Sequence, residues 1–424
     1  MDDRVADPTS GAAEAPIEGH CDPRFAAVEA AFRDNFRVRD EIGGAVCVML
    51  EGRAVVDLWG GHRERERATP WRRDTLVNAF SVGKGITAML ALSLVERGEL
   101  ALDAPVTASW PEFGAEGKAA TTLRMLLAHR GGLPAVRAPL GHDAIFDWSR
   151  MAAALAGQAP YWEPGTAHGY HVNTHGFLVG EPIARRLGKP FGQVLRERLT
   201  GPHAADFFSG VPAREHARIA TLIQFEPGSA TSPAERMAGA LPPSLATGQS
   251  EIDAILPSVY FNPAGFSGFG TVNTPAWRMA SIPSTNSHAT ARAVATLYDV
   301  FLRRDVADGG IVGPGLRAEA LATHSEGPDR VLGKSSRFGL GFQLPQSTRR
   351  IGGGDRCFGH YGYGGSLGFA DPECDLAFGY LMNRPGDRWY NPRTVALVDA
   401  VYASLGRPLA APIPATPPAT SLAP

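Results

Sequence analysis

The chain has 424 residues, 44% of them hydrophobic, with acidic and basic residues interspersed and a formal net charge of -2. This describes a globular protein long enough for two or three lobes, and it gives no electrostatic reason to expect nucleic acid or an anionic membrane as partner. The four cysteines (Cys21, Cys47, Cys357, Cys374) form no C-x-x-C pair, which argues against a disulfide framework or a structural zinc, and no run reaches the length of a membrane span.

Residues 1–21 read as a polar, flexible N-terminal arm, and an acidic start without an apolar h-region points to a cytoplasmic protein. Asp22 and Pro23 open a helix in which Phe25, Val28, Phe32 and Phe36 recur at helical spacing. Two β-rich runs follow, 45–50 and 53–59, joined by Glu51-Gly52 as a tight hairpin. After a polar loop, a helix starts at Ser81, with Ile86, Met89, Leu90, Leu94 and Val95 as its apolar stripe and Gly98 as its stop.

From about Pro105 to about Pro283 helical runs such as 122–128 and 176–187 alternate with Pro/Gly/Ser loops, the longest over 227–281. A helix is predicted over 287–301, then short strands at 338–344, 357–361, 368–370 and 376–382, with Asp371-Pro372-Glu373 as a turn. Asn391-Pro392 begins a last amphipathic helix that ends at Gly406. Strands at both ends of a helical middle predict an α/β (α+β) fold, an antiparallel sheet flanked by helices. Residues 22–105 and 284–407 form one discontinuous domain, 106–283 a mostly helical inserted one, and 408–424 a disordered Pro-rich tail.

Chemistry concentrates at Ser81-Val82-Gly83-Lys84. Three residues apart at a helix start, Ser81 and Lys84 share a face, so the amine can take the hydroxyl proton once burial lowers its pKa. The plainer reading is an N-cap serine and a solvated lysine. Lys84 is, however, the only one of the four lysines (Lys84, Lys118, Lys189, Lys334) set in an apolar stretch, and arginine could not replace it as a base. Tyr170, in the Gly/His-rich loop after Trp162-Glu163-Pro164-Gly165, is either a core aromatic or a proton relay. The glycines of Phe358 to Gly368 permit close approach to a ligand. Ser366 lies in a formal G-x-S-x-G, but strands rather than a helix follow it, so it reads as a decoy. His168, His171 and His175 lack a spaced carboxylate, and no metal is expected. Trp148, Tyr161, Phe261 and Phe266 are candidate pocket walls by loop position alone.

With Ser81-Val82-Gly83-Lys84, Tyr170 and His360-Tyr361-Gly362 in this order, the chain resembles the serine β-lactamase-like superfamily, most closely the family VIII carboxylesterases. Leu126 to Pro134 and Gly359 to Pro372 are also similar, and the likeness runs from about residue 22 to 406. It implies a β-lactamase/transpeptidase-like fold, without metal or organic cofactor, acting on a small-molecule ester. It further implies Ser81 as nucleophile, Lys84 with Tyr170 as base and relay, and the N–H groups of Ser81 and Tyr363 as oxyanion donors. His360, Tyr361 and Gly362 are implied to meet the substrate. Class C β-lactamases carry Tyr-x-Asn and Lys-Thr-Gly, where this chain has Tyr170-His171-Val172 followed by Asn173, and His360-Tyr361-Gly362. A neutral histidine anchors a carboxylate poorly, which favours uncharged esters over β-lactams. Amidases, D-aminopeptidases, acyltransferases and penicillin-recognising binding proteins share the scaffold.

Overall fold

Residues 17–21, read from composition as part of the arm, are strand β1 (Ile17–Cys21). Main-chain pairing needs no apolar pattern, and β1 lies antiparallel along β3 (Arg53–Gly61), from Ile17 opposite Gly60 to Cys21 opposite Val56. β3 follows β2 (Gly43–Leu50) through Glu51 and Gly52, whose φ values of 50° and 77° give the doubly left-handed turn that matches strand twist. The computed structural model describes residues 15–223, 247–303, 305–386 and 390–409. Its second group of strands is β4 (Phe358–Tyr361), β5 (Leu367–Asp371) and β6 (Leu376–Met382). Together they form a six-stranded sheet in the order β1-β3-β2-β6-β5-β4, antiparallel throughout.

The principal helices in chain order are α1 (Ala26–Val38), α2 (Val82–Glu96), α3 (Leu123–Leu127), α4 (Trp148–Gly157), α5 (His175–Leu187), α6 (Ala291–Arg303) and α7 (Pro392–Ser404). Strand alternation divides the core. Val46, Val48, Leu376, Phe378 and Tyr380 pack on Phe32 of α1 and Leu397 and Val401 of α7, while Ala377 and Leu381 join α2 and α6 on the other face. At Gly379 a side chain would meet the Ala291 carbonyl at 2.3 Å, so glycine is what lets α6 lie on the sheet. The apolar core beneath the sheet continues through α2 into α3, α4 and α5, so the segments 22–105 and 106–283 share it.

Three expectations shift. The helix expected from Ser287 begins at Ala291, because His288–Ala289 pairs with Val77–Asn78 and Phe207–Phe208 in a small second sheet. The Thr290 hydroxyl then accepts the Ala293 N–H at 3.1 Å as a helix cap. The strand expected over 338–344 does not form: Phe338 ends a hairpin of Ser325–Pro328 with Ser335–Phe338, and beyond it Gln343 makes isolated bridges to Phe338 and Gly359. The long loop expected over 227–281 lies partly outside the described residues, and its described part contains short helices at Ser250–Asp253, Leu256–Phe261 and Pro275–Met279. Residues 1–14 of the expected arm and 410–424 of the tail are likewise outside. Among the described residues no helix is long and apolar enough to cross a membrane.

Candidate active site

The turn into α2 is tight. Phe80 has φ 49°, a left-handed conformation costing a non-glycine residue about 1–2 kcal/mol, and its ring packs edge-on against Tyr363 at 5.4 Å. Ser81 follows at the helix N-terminus but makes no capping bond, so its hydroxyl is not spent on the helix. Lys84 Nζ lies 2.9 Å from Ser81 Oγ. The amine is wholly buried and also meets the carbonyls of Val172 at 2.6 Å and Ser284 at 3.1 Å. Burial alone holds its pKa well below the ordinary lysine value.

Glycines make that arrangement fit. A side chain at Gly83 would meet Pro283 O at 2.3 Å, and one at Gly176 would meet Ser284 N at 2.7 Å. The Pro283-Ser284 segment therefore threads between α2 and α5 and delivers the Ser284 carbonyl to Lys84. Tyr170 closes the third side. Its ring stacks between Phe338 and His360, each at 5.9 Å, with Lys84 Nζ 4.9 Å from the ring centre. Burial pushes the phenol well above its usual pKa, and a hydrogen bond with the Ser81 side chain offsets part of that rise. Ser81, Lys84 and Tyr170 are thus brought together.

Along β4 the pleat decides which groups face the site. The N–H groups of Gly359 and Tyr361 share the outer edge, where Gln343 N–H and C=O pair with Gly359 and Gln343 Oε1 accepts from Tyr361 N at 3.2 Å. Tyr363 follows the strand as the first residue of a short 3-10 turn, Tyr363–Gly365. Gly362 is pressed against the turn before Ser81, where a side chain would meet Ala79 O at 2.6 Å. The expectation that Tyr361 meets substrate is corrected for its side chain. Alternation turns it to the opposite face, into the α1/α7 core, with its hydroxyl on Arg350 O at 3.2 Å. His360 faces Tyr170 but is fully buried, with Nδ1 2.6 Å from Tyr361 O; burial lowers its pKa well below the usual histidine value, so the ring is neutral. Ser366 is fully buried, its Oγ 3.8 Å from Met382 Sδ, and β5 follows at once.

The other histidines go to separate partners. His168 Nε2 meets Ser336 Oγ at 2.9 Å, His171 Nδ1 donates to Gly169 O while its Nε2 accepts from Leu133 N, and His175 packs against His129 at 4.6 Å. Burial brings His171 down to about 3. Asn173 is consumed structurally by Val259, Ser267 and Thr285. Of the proposed walls, Trp148 packs between Phe177 and Phe191, Tyr161 lies under Arg137, and Phe266 is wholly buried. Phe261 instead joins a row of rings, Phe261–Phe269–Tyr363–Phe80, with centroids 5.4–5.9 Å apart. Ser81, Tyr363 and Phe269 are its partly exposed mouth. Sequence reading passes over Phe269, whose only signal is its Gly-rich surroundings. It also passes over Arg349, whose charge acts on Tyr170 and His360.

The family model described as Beta-lactamase matches residues 30–402. The chain is 34% identical over 380 residues to "Esterase/beta-lactamase LipL" of Mycobacterium tuberculosis, covering 87% of this chain and 83% of that protein. It superimposes on a crystal structure of a family VIII carboxylesterase with TM-score 0.80 and 32% identity, over 92% of this chain and all (100%) of that one. A penicillin-binding protein homologue from Caulobacter crescentus gives TM-score 0.81 and 34% identity, over 92% and 100% of the two chains. By sequence and fold alike, this chain belongs to the beta-lactamase family.

Proposed function

We propose that this protein is a cytoplasmic serine ester hydrolase acting on small, uncharged esters through an acyl-enzyme on Ser81. The observation that carries this reading is the setting of Lys84 Nζ, with two main-chain carbonyls at 2.6 and 3.1 Å and Ser81 Oγ at 2.9 Å. A neutral amine has two hydrogens and one lone pair. The carbonyls take the hydrogens, which leaves the lone pair for the Ser81 proton. As that proton moves to Lys84, Ser81 Oγ bonds to the ester carbonyl carbon. Negative charge gathers on the carbonyl oxygen, facing the N–H groups of Ser81 and Tyr363. Tyr170, kept as a phenol by burial, passes a proton to the departing alcohol oxygen while Lys84 loses one. Water then attacks the acyl carbon with the same base, and the acid leaves.

The ring row beside Ser81 supports an apolar acyl or aryl group as the part recognised. A p-nitrophenyl ester panel set against nitrocefin and D-amino acid amides tests the reading, with multiple turnovers on the esters expected. A lasting adduct in intact-mass spectra without turnover would sink it and favour a penicillin-recognising binding protein. A second reading, hydrolysis of β-lactams, draws on Arg349, a cation near Tyr170 that could take up a substrate carboxylate. Nitrocefin turnover exceeding that of the esters would favour it.

A further inference from the structure

We propose that Asp329 is the positioning residue for Tyr170, acting through the main chain of the tyrosine loop; this rests on the reading of Tyr170 as the proton relay. Asp329 lies in the hairpin between Ser325–Pro328 and Ser335–Phe338, remote in sequence from the loop, and is 2% exposed. Its Oδ1 accepts the N–H of Tyr170 at 3.0 Å, of Val331 at 2.8 Å and of Leu332 at 2.9 Å. Its Oδ2 accepts the Ser336 hydroxyl at 2.7 Å. Four donors converge on two oxygens, a pattern that suits a carboxylate.

The clamp continues on both sides of Tyr170. With its hydroxyl hydrogen directed at Asp329, Ser336 Oγ accepts from His168 Nε2 at 2.9 Å, and Arg330 N–H donates to His168 O at 3.1 Å. Gly169 N–H donates to His129 O and His171 N–H to His129 Nδ1, each at 3.1 Å. The N–H groups of residues 169, 170 and 171 are therefore all held, the middle one by Asp329. The same hairpin supplies Phe338, whose ring stacks on Tyr170 with an interplanar angle of 2°. One short hairpin thus fixes both the ring plane and the backbone of the tyrosine. Asparagine in place of Asp329 would keep three of the bonds but turn an NH2 toward Ser336. The Ser336 proton would then have to point at His168, which requires the other histidine tautomer.

The test is a double-mutant cycle on p-nitrophenyl butyrate hydrolysis, with wild type, Asp329→Asn, Tyr170→Phe and the double variant, each checked for a native melting transition. Tyr170→Phe keeps the N–H that Asp329 holds and removes only the hydroxyl. Asp329→Asn is expected to lower kcat by about 10- to 100-fold with KM changed less than about 3-fold. In the Tyr170→Phe background the same change should cost less than about 2-fold. Equal losses in both backgrounds, or an unchanged kcat, would overturn the proposal while leaving the relay reading in place. Full activity of Tyr170→Phe alone would instead overturn the relay reading and the proposal with it. Should Asp329→Asn fail to fold, Ser336→Ala leaves the three Oδ1 bonds in place and removes the Oδ2 donor together with the partner of His168 Nε2. It is expected to cost about 3- to 10-fold, again only where the Tyr170 hydroxyl is present, and an equal loss without that hydroxyl would overturn the proposal.

Discussion

Replacing Gly83 with alanine sets helix propensity against packing. In an exposed helix the change would add about 1 kcal/mol of stability. Here the new methyl would lie 2.3 Å from Pro283 O and 2.7 Å from Ser287 Oγ. To restore van der Waals contact the Pro283-Ser284 segment must retreat by about 1 Å, an overpacking strain of about 1–3 kcal/mol. The Ser284 carbonyl, 3.1 Å from Lys84 Nζ, would then leave hydrogen-bond range. Lys84 would lose one of the two acceptors that aim its lone pair, and a misplacement of this size costs about 100-fold in rate. Gly83→Ala is therefore expected to lower kcat/KM on p-nitrophenyl butyrate by about that factor, while the opposing stability terms leave a net loss of only about 0–2 kcal/mol in denaturant titrations. Full activity with an unchanged unfolding midpoint would refute the argument, because it would mean that the segment yields without moving the amine.

Ser81→Ala should abolish ester turnover, whereas Ser366→Ala should keep most of it; the reverse pattern in initial-rate assays would transfer the nucleophile to Ser366. The rate should rise with pH as Lys84 loses its proton and level off well below the ordinary lysine range, with no fall from Tyr170 below about pH 10. The same depressed pKa acts on stability. Between the folded and unfolded values of Lys84 the unfolded chain holds the extra proton, so its burial penalty, full below the folded value, is relieved as pH rises through that window. Phe269→Ala should raise KM for p-nitrophenyl hexanoate more than for the acetate, and an equal effect on both would remove the ring row from substrate recognition. Glu41→Ala would strand Arg393, 2.9 Å away and 7% exposed, and should cost about 3–5 kcal/mol in denaturant titrations without altering KM.

Local spacing made Ser81 and Lys84 legible, since three residues on a helix need no tertiary information to meet. Tyr170, which the fold brings beside Ser81 and Lys84, was legible only through the order of three motifs along the chain. The acceptors that fix Lys84 were not, because a main-chain carbonyl at Val172 or Ser284 leaves no mark on residue type. Asp329 was hidden for a related reason: a carboxylate that binds backbone N–H groups far along the chain has no spacing to betray it. The hairpin at Glu51-Gly52 was plain from its turn chemistry, while β1 was missed because an edge strand paired by its backbone needs no apolar alternation. Tyr361 was placed at the site by motif, and strand alternation turned its side chain away.

The pairing of Gln343 with β4 reaches beyond the ester chemistry. The outer strand of a sheet usually offers a row of open N–H and C=O groups on which a foreign chain can build. Here Gln343 occupies Gly359 with its main chain and Tyr361 with its side chain, closing the row from within. The β4 flank of the sheet is thereby denied to other strands, so one glutamine guards that edge against edge-to-edge aggregation.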